Sequence, residues 1–182
     1  WLAEVSGVPF GLQGEILGNN RDQWHGLVFG MTCRIYPDPH RCNPTHIWAA
    51  LDGMRLARPK MVGWWERSSP ISITYVSGSG GSADPVRATL FLGVDNAAIA
   101  LANWSPRPVT FTLSVDWPRL REHAGGAATA FASPQPPRRG RLVAPRIEAF
   151  QSSGTWTVGA RLTLQGKGSR RSEGLLLQLT SS

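Results

Sequence analysis

Three windows carry the clearest pattern of apolar and polar positions. Val109-Thr-Phe-Thr-Leu-Ser-Val115 alternates without a break, which predicts a strand with one buried and one wet face. Val86-Arg-Ala-Thr-Leu-Phe-Leu92 is strand-like, and residues 97–102 are apolar throughout, as expected of a central strand covered on both sides. Turn chemistry separates the three at Gly93-Val-Asp-Asn96 and Ser105-Pro-Arg-Pro108. Further short strands are predicted at 141–143, 147–150, 160–164 and 175–179. Short strands with turns every 8–12 residues predict an antiparallel sandwich.

The first part of the chain has a different rhythm. Residues 8–17 predict a buried strand ending at Gly18-Asn19-Asn20, and Gly26-Leu-Val-Phe-Gly-Met-Thr32 is an apolar run of ambiguous type. Ile47, Ala50, Leu51 and Met54 are spaced by threes and fours, which predicts an amphipathic helix over 46–56. Asn43-Pro44-Thr45 supplies start signals, and Arg55 and Arg58 fall near the end, where cations suit the helix dipole. Met61-Val-Gly-Trp-Trp65 then predicts another strand. Strand, helix, strand in this order predicts a parallel α/β unit. Ser77-Gly-Ser-Gly-Gly-Ser82 reads as a linker or long hairpin loop, dividing the chain into 1–76 and 77–182.

Composition narrows the function classes. The chain has 182 residues, with 20 Gly and 14 Pro, which favours turns and short strands over long helices. That length is short of the roughly 250 residues of a complete eight-fold β/α barrel. No run of 18 apolar residues predicts a transmembrane helix. The net charge is +7, which raises the question of nucleic acid. Seventeen of the 19 basic residues are Arg, and the densest run, Arg138-Arg139-Gly140-Arg141, lies in a Pro-rich loop with no nucleic-acid motif beside it. It reads as a solvated loop, and neither a nucleic-acid nor a membrane partner is expected. Cys33 and Cys42, flanked by His25, His40 and His46, lack the tight pairing of zinc sites. They read as free thiols or as a local disulfide, and no metal is expected. No Gly-x-Ser-x-Gly elbow or phosphate-binding Gly-x-x-x-x-Gly-Lys loop is present, and no cofactor is expected.

Val8-Pro-Phe-Gly-Leu-Gln-Gly-Glu-Ile-Leu-Gly-Asn19, Trp24-His-Gly-Leu-Val-Phe-Gly-Met-Thr32, Met61-Val-Gly-Trp-Trp-Glu66 and Ala97-Ala-Ile-Ala-Leu-Ala-Asn-Trp-Ser105 together resemble the C-terminal end of glycoside hydrolases similar to family 123. Val86-Arg-Ala-Thr-Leu-Phe-Leu92 belongs to the same resemblance, and the block made of Met61–Glu66, Val86–Leu92 and Ala97–Ser105 also resembles the C-terminal sandwich of α-amylase-type enzymes. The resemblance implies an α+β fold: a partial β/α-barrel segment over 1–76, followed by an antiparallel β-sandwich over 77–182. It implies a carbohydrate substrate and, as partner, the rest of a parent catalytic barrel. The chain opens at Trp1 in mid-pattern, as expected of a piece of a longer protein.

Barrel chemistry sits at the C-terminal ends of strands. Under the resemblance Glu15 stands at one such end, and Trp64, Trp65 and Glu66 at another. Glycoside hydrolysis uses two carboxyl groups across the scissile bond, which makes Glu15 and Glu66 the candidate catalytic residues. Glu15 lies among small and apolar residues, a setting that disfavours its charged form; its alternative role is bonding to the amides of Gly18, Asn19 and Asn20. Glu66 alternatively pairs with Arg67, and Asp52 reads as part of a solvated helix face. Family 123 uses an adjacent Asp-Glu pair in substrate-assisted cleavage of N-acetylgalactosaminides, and this sequence has no Asp-Glu dipeptide. A chain lacking that pair is expected to be inactive in isolation. Trp24, Trp64 and Trp65 suit sugar stacking as well as core filling, and His25 is the candidate polar substrate contact. If Trp64 and Trp65 share a strand, they point to opposite faces. Trp104 and Trp117 read as domain-interface packing. Asn103-Trp104-Ser105 matches a glycosylation sequon. The alternative to the enzyme reading is a non-catalytic carbohydrate-binding or structural sandwich.

Overall fold

The computed structural model describes residues 23–32, 44–56, 59–76, 84–93, 96–124, 140–148, 150–166 and 173–181. Among these the chain forms α1 (Gln23–Leu27), α2 (Thr45–Gly53), β1 (Lys60–Val62), β2 (Ile71–Tyr75), β3 (Val86–Leu92), β4 (Ala97–Asn103), β5 (Val109–Val115), α3 (Trp117–His123), β6 (Gly140–Ala144), β7 (Gly154–Thr157), β8 (Arg161–Leu164) and β9 (Gly174–Ser181). Six strands make one sheet in the order β1-β3-β4-β9-β6-β7, and β2-β5-β8 make the second. Every pairing is antiparallel. The α+β class and the sandwich follow.

Alternation sorts the side chains into two cores. Val86, Leu90, Ile99 and Leu101 of the large sheet face Val109, Phe111, Leu113 and Leu162 of the small one. The opposite face of the large sheet is also dry. Phe91, Ala98, Ala100, Ala102 and Leu176 pack there against Trp24, Leu27 and Val28, against Ile47 and Leu51 of α2, and against Met54 just after it. This is why β4 reads as an unbroken apolar run: all seven of its residues are buried. The three alanines on its outer side leave room for α1 to lie close. The small sheet, covered on one side only by the described residues, keeps the alternating pattern of β5, with Thr110, Thr112 and Ser114 outward.

Several expectations need correction. Residues 61–65 do not form the second strand of a parallel unit. Only Lys60–Val62 is extended, and it pairs antiparallel with β3 through Val62 opposite Leu90. Val62 belongs to the core between the sheets, so the strand serves the sandwich. β1 and β2 both precede Ser77 and join the two sheets, so the sandwich draws on residues from both sides of the 76/77 division. The run 26–32 is the end of α1 followed by turns. Arg55 lies beyond α2, at a positive φ of 54°, and Arg58 lies outside the described residues. Ile147 and Phe150 do not lie in a strand: Phe150 N–H donates to Ile147 O at 3.0 Å, and a single bridge joins Ile147 to Gln151. Pro145 and exposed Glu148 interrupt the pattern that a longer strand needs. Trp117 opens α3 and packs on the core between the sheets. Asp116 caps that helix by accepting from Arg119 N–H at 3.1 Å, and Pro118 sits in its first turn.

Candidate functional site

The aromatic residues that the sequence singles out meet at the turn after β1. Extended structure stops at Val62, and Glu66 N–H donates to Gly63 O at 2.9 Å. The Glu66 carboxylate reaches back and accepts from Gly63 N–H at 2.7 Å. One side chain therefore closes the turn from both ends. A Cβ on Gly63 would lie 2.5 Å from the Trp65 ring, so glycine is required for the indole to cover this backbone. Trp64 and Trp65 stand in the turn itself, not in a strand. Their rings meet edge to face at 5.7 Å and 87° instead of pointing to opposite faces.

Phe29 completes the cluster. It stacks on Trp65 at 5.8 Å and 19° and meets Trp64 and Trp104 edge-on at 6.2 and 6.3 Å. All four rings are partly exposed. Thr89 holds the parts in register: its hydroxyl accepts from Trp64 N–H at 3.2 Å and donates to Val28 O at 2.6 Å. One hydroxyl thus links β3, the turn after β1 and the end of α1. Arg87 lies over the Trp64 ring, 4.2 Å from its centroid, in the geometry of a cation–π contact.

His25 and Trp24 sit deeper. His25 is buried, its Nε2–H donates to Asn103 O at 3.0 Å, and its ring lies 4.1 Å from that of Trp104. Trp24 is 1% exposed and meets Phe150 edge-on at 6.3 Å. A Cβ on Gly174 would lie 2.4 Å from Trp24, so glycine in β9 makes space for this indole. Asn103 of the sequon is fully buried. Its amide donates to Arg107 O and Gln165 O, each at 2.9 Å, and its Oδ1 accepts from Ser105 N–H at 2.8 Å. Both amide protons are used, so this residue is a structural clamp in the folded chain. Glu15, Cys33, Cys42, His40, Arg138, Arg139 and the linker lie outside the described residues.

The structure therefore brings Trp64, Trp65 and Glu66 together and joins them to Phe29 and Trp104, which the sequence reading had not assigned to a site. His25 and Trp24, both on α1, are buried. The family model of the glycoside hydrolase 123 C-terminal domain matches residues 43–179, well over half of the chain. The chain belongs to the glycoside hydrolase 123 C-terminal domain family. The TIM-barrel domain model of the same glycoside hydrolase 123 group matches residues 1–36. Glycoside-hydrolase-like origin and the order of barrel segment and sandwich follow from these two matches. No curated protein matches the chain.

In this member of the family, α1 and the turns after it lie inside the barrel-matching stretch, yet their side chains complete the outer core of the sandwich sheet. Trp48 adds a second tie between the two matched regions, its Nε1–H donating to Thr32 Oγ1 at 3.0 Å. Nearby, burial pushes the Tyr75 phenol above its ordinary value, against a lowering by its bond to Val86, so it stays protonated through neutral pH.

The double use of Glu66 gives a direct expectation. Glu66→Ala removes the acceptor for Gly63 N–H and loosens the turn that carries Trp64 and Trp65. The expected loss is about 1 kcal/mol in urea unfolding, with a change in the near-ultraviolet dichroism of the tryptophans. Unchanged aromatic dichroism would show that the turn does not need this carboxylate.

Proposed function

We propose that this chain is the terminal part of a glycosidase that acts on glycosidic bonds of carbohydrates, and that its sandwich serves as the support on which the end of the catalytic barrel is built. The observation that carries this reading is the seating of Trp24, Leu27 and Val28, from the barrel-matching stretch, on Ala98, Ala100 and Ala102 of the large sheet. A sandwich that only followed the barrel on a tether would not share a core with it. In this reading the partner is the rest of the parent barrel, the ligand is a carbohydrate, and nucleic acid and membrane have no role. Trp64 and Trp65 are the proposed sugar-contacting side chains. Glu66 shapes their turn, His25 and Trp24 support the ground below, and Glu15 remains the proposed carboxylate of the barrel segment.

The 182-residue chain in isolation is proposed to be inactive. Its sequence holds no Asp-Glu pair, and a barrel of this class needs about 250 residues to enclose its site. The test is hydrolysis of aryl N-acetylhexosaminides by the intact parent protein and by the isolated chain, side by side. Turnover by the parent and none by the chain is the expected result. Turnover by the chain, or none by the parent on any glycoside, overturns the reading. A second reading, a carbohydrate-binding sandwich without catalysis, draws on the four partly exposed rings of Phe29, Trp64, Trp65 and Trp104.

A further inference from the structure

The sandwich is open along one edge. β1 pairs with β3 only from Leu92 to Leu90, so among the described residues no strand pairs with residues 86–89 on that side. The gap between this half of β3 and β2 is a cleft of about 170 Å³. Ile71, Ile73, Val86 and Ala88 give it apolar walls, and Trp64, Tyr75, Asp84 and Arg87 give it a polar mouth. At the strand end the edge-facing backbone of Val86 is already satisfied. Tyr75 hydroxyl accepts from Val86 N–H at 3.2 Å and donates to Val86 O at 3.3 Å.

Two features of the mouth lack an internal purpose. Among the described residues, Arg87 has its contact with the Trp64 ring and no carboxylate partner. A guanidinium laid on an indole is held in place with its donors still available. Asp84 is exposed, has no ion pair or hydrogen bond among the described residues, and is held at a positive φ of 52°. Among the described residues, donors without an acceptor and an acceptor without a donor thus share the rim of one small cavity.

That combination selects the charge of the ligand. A carboxylate would satisfy Arg87 and be repelled by Asp84, and an ammonium would meet the reverse. An alcohol hydroxyl both donates and accepts, so neighbouring hydroxyls can bind both groups at once. Apolar walls beneath a polar rim suit the C–H face of a ring. We propose that this cleft is an ancillary binding site for one uncharged pyranose unit, with Arg87 donating to sugar oxygens and Asp84 accepting from adjacent hydroxyls. The proposal deepens the carbohydrate-binding reading of the sandwich and is independent of catalysis by the parent.

The test is a titration of the 182-residue chain with methyl β-galactopyranoside and methyl β-glucopyranoside, followed by amide and indole resonances, with sodium acetate and methylammonium chloride as charged probes. Shifts at Arg87, Asp84 and the Trp64 indole, with a dissociation constant of about 1 mM, are expected for at least one glycoside and for neither charged probe. Arg87→Met keeps an aliphatic stem over Trp64 and removes the donors. Asp84→Gly removes the carboxylate at a φ that glycine adopts readily, so this variant stays folded. Each is expected to weaken binding about tenfold or more. Trp65→Ala separates the two readings. If it abolishes binding while the Arg87 and Asp84 variants bind as wild type, the cleft proposal falls and the carbohydrate reading stands. Absence of glycoside binding up to 100-fold above the expected constant, or equal binding of a charged probe, also overturns the proposal and leaves the parent's hydrolysis reading untouched.

Discussion

Trp24→Ala is expected to destabilise the chain by about 3–5 kcal/mol, the range for removing a fully buried large aromatic side chain. The indole is 1% exposed and lies between the alanine row of β4, Gly174 of β9 and the ring of Phe150. β4 and β9 are joined by backbone hydrogen bonds and cannot collapse onto the space left behind. Trp24→Phe is expected to lose much less, because it keeps a ring in the cavity and removes an indole N–H that has no partner among the described residues. Urea unfolding of the two variants reads the difference. If Trp24 is instead an accessible sugar platform, Trp24→Ala leaves the unfolding midpoint near wild type and shows itself only in carbohydrate binding.

The second large effect is expected at Asn103. Replacement by alanine leaves two backbone carbonyls, Arg107 O and Gln165 O, and one N–H, Ser105, without their partner. Each buried orphan costs about 1–3 kcal/mol, and relaxation of the surface turn relieves part of the sum, so a loss of about 3 kcal/mol is expected. Asn103→Asp should do no better, since it turns an anion toward two carbonyl oxygens. Ser105→Ala destroys the sequon equally well. It removes only the acceptor for Arg107 N–H at 3.1 Å, with an expected loss of about 1 kcal/mol. A chain that tolerates Asn103→Ala as easily as Ser105→Ala in thermal unfolding would show that the amide clamp contributes little.

The strands most easily read from sequence are those with the least ambiguous environment. β5 alternates because one sheet face is wet, and β4 does not because both of its faces are covered. β2 carries the same alternation, with Ile71, Ile73 and Tyr75 turned inward, but its Ser and Thr residues and the turn before it make it resemble a loop. The signal for α3 was also present, in an Asp followed by Pro two positions later. Its apolar content reduces to Leu120 as the buried residue, too little for a periodic pattern.

The candidate site was legible in part. Trp64, Trp65 and Glu66 are neighbours in sequence, and an unusual Trp pair beside a carboxylate stands out. Phe29 and Trp104 could not be assigned to them from spacing. Phe29 arrives because Thr89 ties Val28 to the turn after β1, and Trp104 because β4 ends beside α1. The two faces assigned to the Trp pair failed for a local reason. The opposite-face rule holds in a strand, and Gly63 ends the strand before either ring is placed.

The seating of α1 on the alanine row of β4 bears on where this sandwich can be cut. A piece cut to the limits of the C-terminal family model, 43–179, would lose Trp24, Leu27 and Val28. The middle of its largest sheet would then show water a strip of Ala98, Ala100 and Ala102, an apolar surface of the kind that drives aggregation. For this chain, the folding unit is therefore longer than residues 43–179, because side chains from the barrel-matching stretch 1–36 cover its large sheet.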